Sequence, residues 1–329
     1  MSGLDRATFG SWLFEHAPRL WVLWAASRPS QVALVVLVYG LGVGMTTVGP
    51  PLVVGDATAT GPADVLASDF LARVLTGVSA LLPVTITIHY ANEYADAETD
   101  ALTDRTPFSG GSGALVRTGL PAAFLRTATV LAFAVAVVAM AAGAASAALS
   151  LEAICVLLVL LVAGLAYSLP PVAFVRRGVG EFANAILGGT LLPIYGITVL
   201  STPARGAWLA VVPFTLVVGC NLLATHWPDR KADAAVGKRT LAVRWPAGRL
   251  RRAFAVLSTL AGLLTLGLWV GGVFPTAVGV AHLVVAPFLV WSGVVLTRQR
   301  SPAPAVIAMV LLALTSTVAW WGVGLGVGG

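Results

Sequence analysis

The sequence predicts an all-α, polytopic membrane protein of about nine transmembrane helices, with its N-terminus in the cytoplasm. Three observations lead there. Hydrophobic residues make up 58% of the 329 residues and charged ones only 10%. The mean hydropathy of +0.90 is too high for a soluble fold with several buried helices. The apolar residues fall in nine blocks near the roughly 20-residue length that crosses a bilayer: 30–49, 70–91, 122–143, 148–168, 182–200, 207–225, 253–273, 276–296 and 303–326. With the N-terminus inside, all but Arg73 and Arg205 of the 20 basic residues, Arg6 included, lie on the cytoplasmic side, as the positive-inside rule requires. The outer loop 50–69 agrees, carrying Asp56, Asp64 and Asp69 and no base. The net charge of +6 is therefore an orientation signal and not a nucleic-acid footprint. The expectation is one domain, 1–329, multi-pass in the cell membrane.

Trp12, Phe14, Trp21 and Trp24 precede the first span and read as an interfacial segment against the lipid headgroups. The N-terminus has neither a signal-peptide pattern nor a lipidation motif. Gly49-Pro50-Pro51 stops the first span. The second runs straight into Asn92–Asp100, and helix is expected to continue through that stretch, because Ala91, Ala95, Ala97 and Glu98 favour it. Pro107 and Ser109-Gly110-Gly111-Ser112-Gly113 then end it in a cytoplasmic loop. Spans three and four form a hairpin with no chemistry on it. The fourth ends in Tyr167-Ser168-Leu169-Pro170-Pro171, and Glu181 stands at the mouth of the fifth. The sixth ends near Thr225, ahead of His226, Asp229 and Asp233, and its loop continues through Gly237-Lys238-Arg239-Thr240. In spans seven to nine His282 is the only ionisable group; it reads as hydrogen-bonded packing in a scaffold or tail-binding wall. Cys155 and Cys220 lie inside spans and offer no disulfide or metal spacing.

The chemistry concentrates at two span ends. Asn92–Asp100 holds four carboxylates in nine residues. Asn92, Asp96 and Asp100 recur at i, i+4 and i+8, so a helix puts them on one face, where like charges repel and call for a cation. Asp229 and Asp233 repeat the Asp-x-x-x-Asp spacing downstream. Each motif is followed by a base and a threonine, Arg105-Thr106 and Lys238-Arg239-Thr240. This marks two pseudo-repeated halves, parallel because both motifs face the cytoplasm.

Mg²⁺ takes oxygen ligands and commonly combines one or two carboxylates with substrate phosphates and water. Two such helix ends facing each other would each hold one Mg²⁺, two in all, with a diphosphate bridging them. Arg105, Lys231, Lys238 and Arg239 are placed to neutralise the remaining phosphate charge; the bland reading is that long inner loops are basic anyway. A diphosphate at a membrane interface points to an isoprenoid diphosphate, whose tail lies between helices. Prenyl transfer suits this layout. An ion-coupled transporter would need acids in mid-membrane on broken helices, and an alcohol phosphotransferase a different acidic run.

The same residues carry a family resemblance. Asn92-x-x-x-Asp96-x-x-x-Asp100, Tyr167-Ser168-x-Pro170-Pro171 and Asp229-x-x-x-Asp233, in that span order, resemble the UbiA superfamily of intramembrane prenyltransferases. Within it, the run from Asp229 through Gly237-Lys238-Arg239-Thr240-Leu241-Ala242-Val243-Arg244 most resembles 1,4-dihydroxy-2-naphthoate polyprenyltransferases of menaquinone synthesis. The resemblance implies nine helices around a central cavity, loops capping it after spans two and six, and a lateral opening to lipid. It also implies that Asn92, Asp96, Asp100, Asp229 and Asp233 hold Mg²⁺ and diphosphate, the four aspartates carrying catalysis. An aromatic or lipid acceptor would take the prenyl group, with Tyr167 and His226 at the substrates. One departure bears on the acceptor: the naphthoate enzymes have Asn and Arg before the second motif, where this chain has Thr225-His226-Trp227-Pro228. His226 and Trp227 either line the acceptor pocket, with His226 accepting a proton, or serve structure beside Pro228.

Overall fold

The computed structural model describes residues 9–327 apart from 60, 104, 107 and 109, so Arg6, Pro107 and Ser109 lie outside the described residues. The chain opens with α1 (Phe9–His16), α2 (Pro18–Ala26) and α3 (Pro29–Thr46). The short α4 (Pro62–Val65) leads into the long α5 (Ser68–Ala95), followed by α6 (Ala97–Leu102) and α7 (Ala114–Thr118). Then come α8 (Ala122–Ala145), α9 (Leu151–Ser168), α10 (Phe174–Arg177) and α11 (Gly180–Ile186). A π-helical turn, Leu187–Leu191, joins α11 to α12 (Leu192–Thr198). The remainder is α13 (Arg205–Ala210), α14 (Val212–Ala235), α15 (Leu241–Arg244), α16 (Ala247–Val270), α17 (Thr276–Val295) and α18 (Ala303–Gly324).

Among the described residues, eight helical stretches are long and apolar enough to cross a membrane. The ninth apolar block, 182–200, is also helical throughout most of its length but is divided into α11, the π turn and α12. Its break falls at Gly188 and Gly189, the residues least committed to a regular α-helix.

The apolar side chains are distributed as a lipid surround demands. Val130, Leu131 and Val138 on α8, Leu263 and Leu266 on α16, and Val290 and Val294 on α17 all point outward and are exposed. Helix contacts inside the bundle rely on small residues, which let backbones approach when there is no hydrophobic drive between helices and lipid. A Cβ at Gly42 of α3 would overlap the Pro193 backbone of α12, and one at Gly196 would meet the Tyr39 carbonyl. Tyr39 and Tyr195 then donate their hydroxyls to the Val74 and Gly77 carbonyls of α5, each at 2.9 Å. These two buried bonds tie α3 and α12 to the helix that carries the first acidic motif.

Three expectations change. Spans three and four are not an inert hairpin: α8 packs chiefly along α5, whereas α9 faces a cavity through Leu160, Gly164 and Tyr167. The aromatic N-terminal segment is not uniformly interfacial. Trp12 and Trp24 are exposed but Trp21 is buried in a cluster with Leu13, Tyr90 and Leu125, and the Arg117 guanidinium stacks over both the Phe14 and Trp21 rings, 4.9 and 4.5 Å from their centroids. The second span's helix does not run unbroken through its acidic motif; it is interrupted at Asp96. His282 is packing, as expected, its Nδ1 donating to the Val278 carbonyl one turn earlier at 2.9 Å.

Candidate active site

The first motif ends one helix and starts the next. Asp96 has φ −97° and ψ 3°, outside the α-helical well, yet its N–H still donates to the Asn92 carbonyl at 2.9 Å and Asp100 N–H to the Asp96 carbonyl at 2.8 Å. The i, i+4, i+8 ladder therefore survives the break, and the kink turns α6 across the end of the bundle toward α14. The second motif needs no break. Although sequence places the end of span six near Thr225, α14 continues through Pro228 to Ala235 and carries Asp229 and Asp233 on its final turns.

Lys238 joins the two motifs. Just beyond α14 its backbone N–H donates to the Asp233 carbonyl at 2.9 Å, which returns its side chain over the helix end. Its buried ammonium lies 2.9 Å from Asp96 Oδ1 and 3.4 Å from Asp233 Oδ1. Burial disfavours the charged lysine, but Asp96 and Asp233 outweigh it and hold its pKa above the ordinary lysine range. Asp100 goes the other way. Burial, reinforced by the negative charges of Glu93 and Asp96, pushes its carboxyl up to about 7. One positive charge among the acids is thus supplied by the chain itself.

A glycine-rich loop roofs both motifs. Gly110 N–H donates to Asp229 Oδ2 at 3.1 Å. Ser112 donates its N–H and its hydroxyl to Glu93 Oε1 and Oε2, at 2.8 and 2.5 Å. Between them Gly111, at φ +62°, lies so close to the Asp100 carboxylate that a side chain there would overlap it. Glu93 is buried and also takes Arg28, whose Nε donates to Oε1 at 2.8 Å. Arg28 itself occupies the left-handed corner between α2 and α3. Neither Arg28 nor Ser112 was legible as a site residue, because only the fold brings them to Glu93.

The other sequence candidates divide. Arg105 folds back into the roof, donating to the Gly111 carbonyl at 2.6 Å. His226 donates from Nδ1 to the buried Glu181 at 3.1 Å, and the same Glu181 oxygen accepts the Leu241 N–H at 2.5 Å, so this pair locks α11, α14 and α15 together. Lys231 and Arg239 are exposed; Arg239 contributes its backbone, donating to the Val175 carbonyl at 2.9 Å. Tyr167 and Asn92 line a half-open cavity of about 150 Å³. Its remaining wall is mostly apolar, from Val35, Leu81, Val84 and Leu160 to Leu187 and Leu192, with His89 and Asn184 adding polar groups. His89 is fixed by donating Nδ1–H to the Ser27 carbonyl at 2.7 Å.

The donor set suits a hard divalent cation. Asn92 Oδ1 is buried without a hydrogen-bond partner, and Asp96 and Asp233 already converge on one positive charge. Among the described residues, no three His, Cys, Asp or Glu side chains gather closely enough to cage a metal alone. Such a donor set would supply only part of a Mg²⁺ coordination shell, with substrate phosphates and water completing it.

An α-helical membrane bundle with facing acidic helix ends above an apolar cavity defines the class. Residues 48–314 match the UbiA prenyltransferase family; the chain belongs to that family and is a prenyltransferase. Solved structures share the fold. A UbiA homologue from Archaeoglobus fulgidus bound to GPP and Mg²⁺ superposes with a TM-score of 0.61 at 15% identity, covering 93% of this chain and 99% of the other. The same homologue bound to DMAPP and Mg²⁺ gives 0.60 at 16% identity over 93% and 99%. A structure of digeranylgeranylglyceryl phosphate synthase gives 0.59 at 12% identity over 94% and 99%. No curated protein sequence matches the chain.

Proposed function

We propose that the protein transfers a prenyl group from an isoprenoid diphosphate to an aromatic acceptor in a Mg²⁺-dependent reaction at the cytoplasmic face of the cell membrane. The observation that carries this reading is the convergence of Asp96 and Asp233 on one ammonium, one turn from Asn92, which lines an apolar cavity. Asn92, Asp96, Asp100, Asp229 and Asp233 would hold two Mg²⁺. When bound, the metal withdraws electron density from the diphosphate and so eases its departure as an allylic cation forms. The A. fulgidus homologue's complexes with GPP, DMAPP and Mg²⁺ support this assignment.

The chain's own residues do the rest. Lys238, between the motifs, is placed to turn from the carboxylates to the departing diphosphate. The glycine-rich roof keeps water off the acids, and Arg105 stiffens it. The dry cavity wall takes the tail and shelters the cation. Tyr167, lining the cavity, places an aromatic ring where positive charge develops. The acceptor we infer is 1,4-dihydroxy-2-naphthoate, in menaquinone synthesis, supported by the run Gly237–Arg244.

Purified protein given Mg²⁺, a prenyl diphosphate and this naphthoate should release diphosphate and form a prenylated ring product, the acceptor losing a ring proton or its carboxylate as CO₂. Release only with a hydroxybenzoate, a glycerol-phosphate ether lipid or a carotenoid would move the acceptor. Equal slow release from wild type and Asp96→Asn across all acceptors would overturn the reading.

A further inference from the structure

The π-helical turn stands against the cavity, and its position is fixed from behind. Gly189 is pressed onto α14, where a Cβ would come 2.5 Å from the Thr215 Cα, and the Thr190 and Thr215 hydroxyls share a hydrogen bond at 2.8 Å. Clamped there, the turn presents Leu187 and Gly188 to the cavity, between Asn184 of α11 and Leu192 of α12. Gly188 is the exception on this face. It has no side chain, and a Cβ built on it meets nothing within 4 Å, so the open space begins at its backbone. Gly164, on the opposite wall, differs: a Cβ there would run into the Ile88 side chain, at 2.8 Å from its Cγ1.

The depth of this gap matters. Asn92 and Tyr167 line it from the last turns of α5 and α9 and Asn184 from α11, whereas Leu81 and Leu160 stand earlier on α5 and α9 and Leu192 begins α12. Gly188 lies one helical turn below Asn184, about 6 Å along the axis at 1.5 Å per residue. A tail whose diphosphate sits at the acidic motifs would bring its first five-carbon unit to this level and later units past it. The cavity's volume, about 150 Å³, is comparable to cavities that take a single six-carbon ring. A large side chain added at Gly188 would fill much of it, a methyl only a little.

We propose that Gly188 is a specificity-determining residue for the donor, its bare backbone being the gap through which the second and later isoprene units pass. The inference rests on the prenyl diphosphate reading above. It assigns this wall to the donor tail and not to the acceptor.

The test is a graded series, Gly188→Ala, Gly188→Leu and Gly188→Phe, in full-length protein with Mg²⁺. The quantity read is the ratio of kcat/KM for a four-unit donor to that for DMAPP, the one-unit donor. The ratio should fall with side-chain volume, slightly for Ala and about tenfold or more for Leu and Phe, the size of effect that apolar pockets impose on substrate length. A packing defect lowers both donors together and leaves the ratio unchanged, and that result would overturn the proposal. So would a rise in acceptor KM with an unchanged ratio. If Gly188→Phe does not fold, the Ala and Leu variants still decide the trend. Wild type that turns over neither donor would defeat the prenyl diphosphate reading itself, which separates the two failures.

Discussion

The two acidic motifs share their spacing but not their construction. Asn92–Asp100 straddles a break at Asp96 and contains Glu93, which accepts from both Ser112 of the roof and Arg28. Asp229–Asp233 sits on an unbroken helix, and its buried cation comes from the loop just after it. The bases that follow the motifs diverge as well: Arg105 braces the roof of its own half, whereas Lys238 reaches both halves. A repeated sequence pattern thus serves two tasks. The first motif bends around Asp96, and the second sits on a continuous helix whose following loop provides the counter-charge.

The largest effect should come from breaking either side of this pairing. Asp96→Asn and Asp229→Asn each remove a proposed metal ligand without opening a cavity, so turnover should fall by about 100-fold or more with little change in thermal unfolding. A comparable loss in only one of them would mean that the motifs are not equal partners.

Next comes the ion pair of the buried Glu93 with the partly exposed Arg28, which belongs to the first motif alone. Arg28→Ala leaves the Glu93 carboxylate without its charged partner, at a cost of about 3–5 kcal/mol of stability, seen as a lowered unfolding temperature in detergent. Lys238→Ala should be milder, about 1–3 kcal/mol, and added Mg²⁺ should raise its unfolding temperature more than that of wild type, since metal can replace the lost positive charge between Asp96 and Asp233. An equal Mg²⁺ response in both proteins would remove Lys238 from its place between the motifs.

Gly111→Ala tests the roof. The left-handed backbone alone costs about 1–2 kcal/mol for a non-glycine residue, and the new methyl meets the Asp100 carboxylate. The roof should lift and kcat should drop several-fold. Smallest of all, Lys231→Ala and Arg239→Ala should lose less than about threefold in kcat/KM, because both side chains are exposed and surface charge is weakly coupled to a buried site.

These rankings mark where sequence stops. Span positions and both aspartate motifs were readable because hydropathy and i, i+4 spacing are local signals. The choice of Lys238 over Lys231 and Arg239 was not, since it depends on how the chain turns back after Ala235. Arg28 and Glu93 are 65 residues apart, and no local pattern links them. The glycine cluster reads in sequence as a helix stop; only in three dimensions does it become a lid whose small residues clear Asp100. The π turn was hidden for a related reason, being a tertiary accommodation of Gly189 to α14 inside an ordinary apolar block.

The central claim is that the two motifs form one site, and coupling measures it most directly. Mg²⁺-dependent binding of an unreactive prenyl thiolodiphosphate should be followed calorimetrically in wild type, Asp96→Asn, Asp233→Asn and the double variant. One shared site predicts strong non-additivity, the double variant binding hardly worse than either single one. Losses that simply add would show two independent sites and contradict the account.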